Sequence, residues 1–326
     1  MVEPVRCGTS LFANCDCIEG ARRFLADNSV DLVVTDPPYG IGGDRLDRHY
    51  NRDERHVVEG YVEVPAGEYG AFSSAWIAEV ARVLRPGGAL FVISGYTHLY
   101  EVLGALRASP LIEMNHIVWK YPFGVFTRKK FVSSHYHVLY WARPGGIRTF
   151  NLECRFGLGE RDMGGGSLNY QDREDVWTIA REYKPGRAKN RNELPQTLLE
   201  KIIQYASNEG DLVSDFFLGG GSSGRAAIGL GRRFVGFEIS PSIFAARVPE
   251  LCRLDPGCRL ASLRVPLTAP PTRRGRAWSE EEDRALVSAY VRLRAEGLGK
   301  GETIDRLAAE FGRGRFGIMK RLSRRS

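Results

Sequence analysis

Short runs of consecutive apolar residues alternate along most of the chain with stretches in which apolar residues recur every three to four positions. The first pattern is that of strands buried on both faces, the second that of helices with one buried stripe. Strands are predicted within 12–19 and at 30–34, 89–93, 115–120, 136–141, 211–217 and 234–238. Helices are predicted at 21–25, 72–84, 96–106, 195–206 and 225–230. Arg85-Pro86-Gly87-Gly88 is expected to stop the second helix, and Pro195 to sit near the first turn of the fourth. Residues 41–70 and 143–192 carry no periodicity and read as long loops, the latter with Gly164-Gly165-Gly166 at its middle. Strands alternating with helices predict an α/β fold, a mostly parallel sheet flanked by helices.

The pattern changes after residue 265. Pro266, Pro270 and Pro271 mark a linker over 266–274, and 275–326 reads as a small all-α module. Ser279 and Glu282 form a capping-box pair at a helix start, with Leu286, Tyr290 and Leu293 continuing its face. Ile304, Leu307, Ala308 and Phe311 suggest a second helix, Gly312-Arg313-Gly314 a turn, and Ile318, Met319 and Leu322 a third helix. Residues 1–265 are then one larger domain, with halves at 9–142 and 192–250.

Charge sharpens this division. The 326-residue chain has a net charge of +7, yet 14 of its 46 Lys/Arg and only 8 of its 39 Asp/Glu fall in 267–326. Nearly all the basic excess thus belongs to the tail, which suits contact with phosphate. No window approaches a membrane span, and the N-terminus lacks a basic segment followed by an apolar core. The six cysteines match no zinc pattern and are expected to be reduced, in a cytoplasmic protein, with no metal site.

Chemistry concentrates at Thr35-Asp36-Pro37-Pro38-Tyr39-Gly40, directly after the strand Leu32-Val33-Val34. In open α/β sheets, ligands bind at the carboxyl ends of strands. Pro-Pro fixes two φ angles and removes two N–H donors, so this turn offers acceptors. A carboxylate, a carbonyl and the Tyr39 ring together suit a planar heterocycle with an exposed amine. A second unit lies about 180 residues later. There, Asp215-Phe216-Phe217-Leu218-Gly219-Gly220-Gly221-Ser222-Ser223 follows a strand, a helix follows the glycines, and the next strand ends in Glu238. This is the logic of a nucleoside site: glycines permit close backbone approach and the acid accepts from ribose hydroxyls. Asp215 would repel a pyrophosphate and attract a cationic amino group, favouring S-adenosylmethionine over NAD.

Together these motifs resemble those of the amino-methyltransferases of DNA. In the order seen here, catalytic motif first, they resemble the permuted β class, over residues 9–250. The resemblance implies a Rossmann-like methyltransferase sheet, S-adenosylmethionine as cofactor, and double-stranded DNA as partner. It implies transfer of a methyl group to the exocyclic amine of a flipped base, adenine N6 favoured by Asp in the first motif position, with cytosine N4 the alternative. Asp36, Pro37, Pro38 and Tyr39 are the catalytic set. Asp16, Cys17, Asp36, Asn192, Leu194, Asp215, Phe216, Phe217, Gly219, Gly221, Ser222, Ser223, Glu238 and Ile239 are the cofactor set. Many members have Lys-Pro where this chain has Leu194-Pro195, and Gly-Ser-Gly-Thr-Thr where it has Gly-Gly-Gly-Ser-Ser.

A target-recognition region is expected over 121–190. Trp119, Lys120, Arg128, Lys129, Lys130, Arg313, Arg315 and Lys320 are the expected nucleic-acid contacts, the tail resembling a Myb/SANT-like helix-turn-helix module. His116, His135 and His137 read as structural. A homodimer and a restriction endonuclease partner stay open. Competing readings are a non-catalytic DNA-binding protein, a protein-glutamine methyltransferase, disfavoured by Asp ahead of Pro-Pro-Tyr, and an NAD enzyme.

Overall fold

The structure, a computed structural model, describes residues 3–38, 64–122, 128–181, 193–267 and 277–323. The chain forms two compact units, Met1–Leu152 with Asp175–Leu263, and Glu153–Glu174 with Arg264–Ser326.

Among the described residues, the first unit holds a nine-stranded sheet. Its strands are β1 (Val5–Cys7), β2 (Ser10–Asn14), β3 (Val30–Thr35), β4 (Leu84–Ser94), β5 (Ile112–Lys120), β6 (His135–Ala142), β7 (Val176–Thr178), β8 (Leu212–Asp215) and β9 (Arg233–Glu238), in the spatial order β1-β2-β9-β8-β3-β4-β6-β5-β7. β2, β9, β8, β3 and β4 pair in parallel, whereas β1 with β2 and β6 with both β4 and β5 are antiparallel. The expected α/β sheet is present, with mixed edges.

Helices cover both faces. α1 (Cys17–Phe24), α2 (Tyr69–Val83) and α3 (Leu99–Ala108) pack on the face bearing Val33, Leu90, Val92 and Phe237. α5 (Gln196–Ala206), α6 (Ser222–Gly229) and α7 (Pro241–Cys252) pack on the face bearing Leu32, Val34, Phe91 and Phe234. Adjacent residues of β3 therefore enter opposite cores, which is why its apolar run is continuous rather than alternating. α4 (Leu168–Asp172) belongs to the second unit.

Several local expectations are corrected. α1 begins at Cys17 because Asp16 caps it, accepting from the Ile18 and Glu19 amides, so the strand ends at Asn14. Arg85-Pro86-Gly87-Gly88 does not separate helix from strand. β4 starts at Leu84 opposite Val30 and resumes pairing at Ala89 opposite Leu32, so the intervening residues bulge out of register. Pro195 sits at the N-cap of α5, next to its first turn as expected. β1, β7 and α4 are too short to leave a periodic signal, and α7 lies in a segment assigned no element from sequence. The cysteines are not all reduced: Cys7 on β1 and Cys252 at the end of α7 form a disulfide, their Cα atoms 5.3 Å apart. A separation of 245 residues hides that pairing from local reading.

In the second unit, α8 (Glu280–Ala295), α9 (Lys300–Glu310) and α10 (Arg315–Leu322) enclose a core of Leu286, Leu293, Ile304, Leu307 and Ile318. The Ser279–Glu282 capping box opens α8 as expected. Elsewhere in this unit the buried Glu160 carboxylate accepts from the amides of Gly157 and Leu267, at 2.9 and 2.7 Å, and from Arg264. The Arg264 hydrogen bond leads the effects that hold its pKa at about 2. A carboxylate held below its unfolded value stabilises the fold above the ordinary glutamate range and ceases to do so as pH falls through the folded value. Glu160→Gln should therefore lower the thermal midpoint at neutral pH, and its difference from wild type should shrink as the pH falls from the ordinary glutamate range through about 2. Paired melting curves across that range check this.

Candidate functional site

The parallel order β2-β9-β8-β3 aligns four carboxyl ends along one edge of the sheet. Asp16 follows β2, Glu238 ends β9, Asp215 ends β8 and Asp36 follows β3. From β3 the chain steps outward to β4, and from β8 it steps the opposite way to β9, so the crevice between them is a topological switch point, where open sheets bind ligands. A cavity of about 640 Å³ lies there, a size suited to a nucleoside-like molecule. Asp16, Cys17, Asp36, Pro37, Pro38, Leu194, Asp215, Phe216, Phe217, Gly219, Ser222, Glu238 and Ile239 all line it. The fold thus brings together nearly all the expected catalytic and cofactor residues. Tyr39 and Asn192 lie outside the described residues.

Gly221 and Ser223 stand behind the wall. Gly221 is the N-cap of α6 at φ +75°, and a Cβ there would lie 3.0 Å from the Leu251 side chain, so both conformation and space call for glycine. Ser223 is buried, and its hydroxyl donates to Asp215 Oδ2. Asp215 Oδ1 accepts from Thr35 Oγ1 at 2.7 Å and from the Phe217 amide at 2.9 Å. Both oxygens of Asp215 are thus hydrogen-bonded inside the protein, while burial pushes its pKa up. The Thr35 contact joins the strand bearing Asp36 to the strand bearing the glycines.

Glu238 shapes the same loop. One carboxylate oxygen accepts from the Gly219 amide and the other from the Ser240 amide, each at 2.8 Å. Burial raises its pKa. Each oxygen keeps acceptor capacity for a further donor. Asn14 Nδ2 donates to the Glu238 carbonyl at 2.7 Å and to that of Ile239 at 3.2 Å, locking the ends of β2 and β9 together. Cys15 and Cys17 line the cavity as neutral thiols. Burial, aided by Glu19 and Asp16, pushes Cys15 to about 11, and burial moves Cys17 higher still. Neither is a thiolate nucleophile near neutral pH.

Sequence reasoning missed the wall supplied by α2 and the turn before it, including Val64, Pro65, Glu68, Ala71, Phe72 and Ala75, together with Ile243 of α7. The α2 residues are legible in the sequence only as one side of an amphipathic helix. Phe217 packs on Phe72 and Trp76, with ring centroids 5.8 and 5.6 Å apart, which fixes the glycine-loop entrance to that helix.

The expected nucleic-acid contacts divide. Lys120, Arg128, Lys129, Lys130 and Lys320 are exposed. Trp119 is instead a core residue, 2% exposed, with Nε1 donating to the Ile179 carbonyl. Arg313 is likewise internal, 5% exposed, bonded to the Ala277 carbonyl and Glu282 and lying over the Trp278 ring. Arg315 pairs with Asp305 at 2.5 Å. His116 and His137 hydrogen-bond to each other at 2.8 Å, and burial, with His116 and His135 nearby, holds His137 down to about 4.

Residues 30–247 match the model of a family described as DNA methylase, of the N6/N4 type. The chain is 30% identical over 244 residues to the type II methyltransferase M.BamHI of Bacillus amyloliquefaciens, covering 69% of this chain and 53% of that protein. It is 27% identical over 228 residues to M.HpaI of Haemophilus parainfluenzae, covering 68% of this chain and 67% of that one. The chain therefore spans about half of the first relative and two thirds of the second. Among solved structures, PvuII DNA methyltransferase, cytosine-N4-specific, shares the fold with a TM-score of 0.55 at 17% identity, over 79% of this chain and 94% of that one. TTHA0409 of Thermus thermophilus, complexed with S-adenosyl-L-methionine, gives 0.52 at 22%, over 74% and 94%.

Thr35→Val keeps the shape of the side chain but removes a donor from buried Asp215. It should cost about 1–3 kcal/mol of stability, measured by urea denaturation against wild type.

Proposed function

Since the chain belongs to the N6/N4 DNA methylase family, we propose that it is a site-specific DNA methyltransferase, using S-adenosylmethionine to methylate the exocyclic amine of a base flipped out of duplex DNA. The observation that carries this reading is the shared cavity: the Asp36-Pro37-Pro38 turn, the Asp215–Gly221 loop and Glu238 converge on it from neighbouring strand ends. The residues present fit the cofactor. The left-handed glycines at 219 and 221 form a cradle, and Glu238 faces the cavity with acceptor capacity for ribose hydroxyls. Leu194, Phe217, Ile239 and Ile243 line the cavity and would supply apolar contact for the adenine and methionine portions. When bound, the cofactor supplies an electrophilic methyl group on a sulfonium.

The protein's own part is to hold the amine. A base amine is a poor nucleophile because its lone pair is delocalised into the ring. Hydrogen bonds from its two protons to the Asp36 carboxylate and the Pro37 carbonyl draw the nitrogen towards tetrahedral geometry and free that lone pair. Asp36 or solvent then takes the released proton. Orientation supplies the rate, with no covalent bond between enzyme and base. Extrusion of the base is required because the amine is hidden in the duplex.

Adenine N6 is the favoured target, on the Asp in the first motif position, and cytosine N4 is the second reading, the specificity borne by the PvuII enzyme of the same fold. Lys120 and the Arg128–Lys130 segment, all exposed, suit phosphate contact. The helices of 275–326, read as a Myb/SANT-like module, would add affinity for DNA that does not depend on sequence.

Asp36→Ala should abolish methylation while S-adenosylmethionine still binds in calorimetry. Sequencing with modification detection on DNA from cells expressing each form reports the base, the position and the motif. Wild-type methylation by the variant, or no cofactor binding by the parent chain, rules the reading out.

A further inference from the structure

We propose that Tyr69 is a positioning residue for methyl transfer, its hydroxyl holding the Asp36-Pro37-Pro38 turn in register from behind the cavity; this rests on the function proposed above. Tyr69 is the first residue of α2, 2% exposed and absent from the cavity wall. Its Oη donates to the Pro38 carbonyl at 2.6 Å. That contact matters because of what Pro-Pro removes. Neither proline has an N–H, so the turn cannot be anchored through its own amides at those two positions. Its carbonyls remain as handles, and an external donor must take hold of them. The Pro37 carbonyl is the acceptor the reaction needs for the target amine. Anchoring Pro38, one residue on, fixes the peptide plane beside it without consuming that acceptor.

The donor is itself held rigidly. The Tyr69 ring stacks on the His98 imidazole, with centroids 4.1 Å apart and planes at 15°, and meets Phe72 edge-on at 5.8 Å. His98 is buried and is the N-cap of α3, in the connection that follows β4. Tyr69 thus bridges the connections leaving two neighbouring strands, β3 and β4. Phe72, one turn along α2, lines the cavity and packs on Phe217 of the glycine loop. The same helix turn therefore sets the position of the amine-holding turn and touches the cofactor side. A buried tyrosine could fill this space as phenylalanine would, and the hydroxyl is what distinguishes the two roles.

Tyr69→Phe removes only that hydroxyl. The experiment compares wild type, Tyr69→Phe and Asp36→Ala in methyl transfer to a duplex carrying the sequence found by modification mapping. S-adenosylmethionine affinity is measured by calorimetry and the melting temperature by scanning calorimetry. The expected result is a kcat for Tyr69→Phe lowered about ten- to a hundredfold, the scale of a small misplacement of reacting groups. Cofactor affinity, KM for DNA and melting temperature should stay close to wild type. Unchanged kcat overturns the proposal. So does a loss of kcat matched by an equal loss of cofactor-binding sites, which marks a purely structural tyrosine. If wild type itself transfers no methyl group, the function proposed above fails and the positioning role falls with it; if wild type is active and Asp36→Ala is not, the result for Tyr69→Phe judges this proposal alone.

Discussion

The buried carboxylate of Asp215 is the constraint on which the site depends. It sits at the end of the interior strand β8 and takes hydrogen bonds from Thr35 on β3, from the Phe217 amide at the start of the glycine loop, and from Ser223 on α6. Three segments that must keep a fixed mutual distance, those carrying Asp36, the loop and the helix behind it, are thereby referred to one group. A buried acid is costly unless satisfied, and satisfaction here requires all three partners in place. Assembly of the site and relief of that cost are then the same event. Glu238 repeats the device on the next strand, using the Gly219 and Ser240 amides.

Much of this is legible in the chain. The apolar runs mark β3, β8 and β9 to within one or two residues, because strands buried on both faces are mostly apolar. The carboxylates at their ends stand out as the first charged residues after each run. What stays hidden has physical causes. Asp215 reads as a group for a ligand, and its bond to Thr35 emerges only once strands 180 residues apart are neighbours. Asn14 and Tyr69 act through backbone carbonyls, which leave no mark on sequence. Trp119 and Lys120 are adjacent in sequence and suggest joint action, yet a strand sends alternate side chains to opposite faces, and only the lysine reaches the surface.

The tail shows a related limit of counting charges. Its excess of Lys and Arg suggests a surface for phosphate, but part of it is used within the module. Arg313 binds Glu282 and the Ala277 carbonyl, Arg321 pairs with buried Asp283, and both guanidinium groups lie near the Trp278 ring. A small helical unit with a thin apolar core uses these contacts to fix its helices. The charge left for a partner is smaller than the formal excess.

The Cys7–Cys252 bond closes residues 7–252 into a ring. Nearly the whole sheet, both halves of the cavity and every carboxylate around it lie between the two linked residues, whereas the α8–α10 helices follow the ring in sequence and are not part of it. Closing so long a loop removes conformational freedom from the unfolded chain worth on the order of 5 kcal/mol in the chain-entropy account. It also changes what a break in the backbone means. A single nick anywhere inside the ring leaves one covalent piece, with new ends at the nick and the old ends still joined. Such a molecule has the connectivity of a permuted chain.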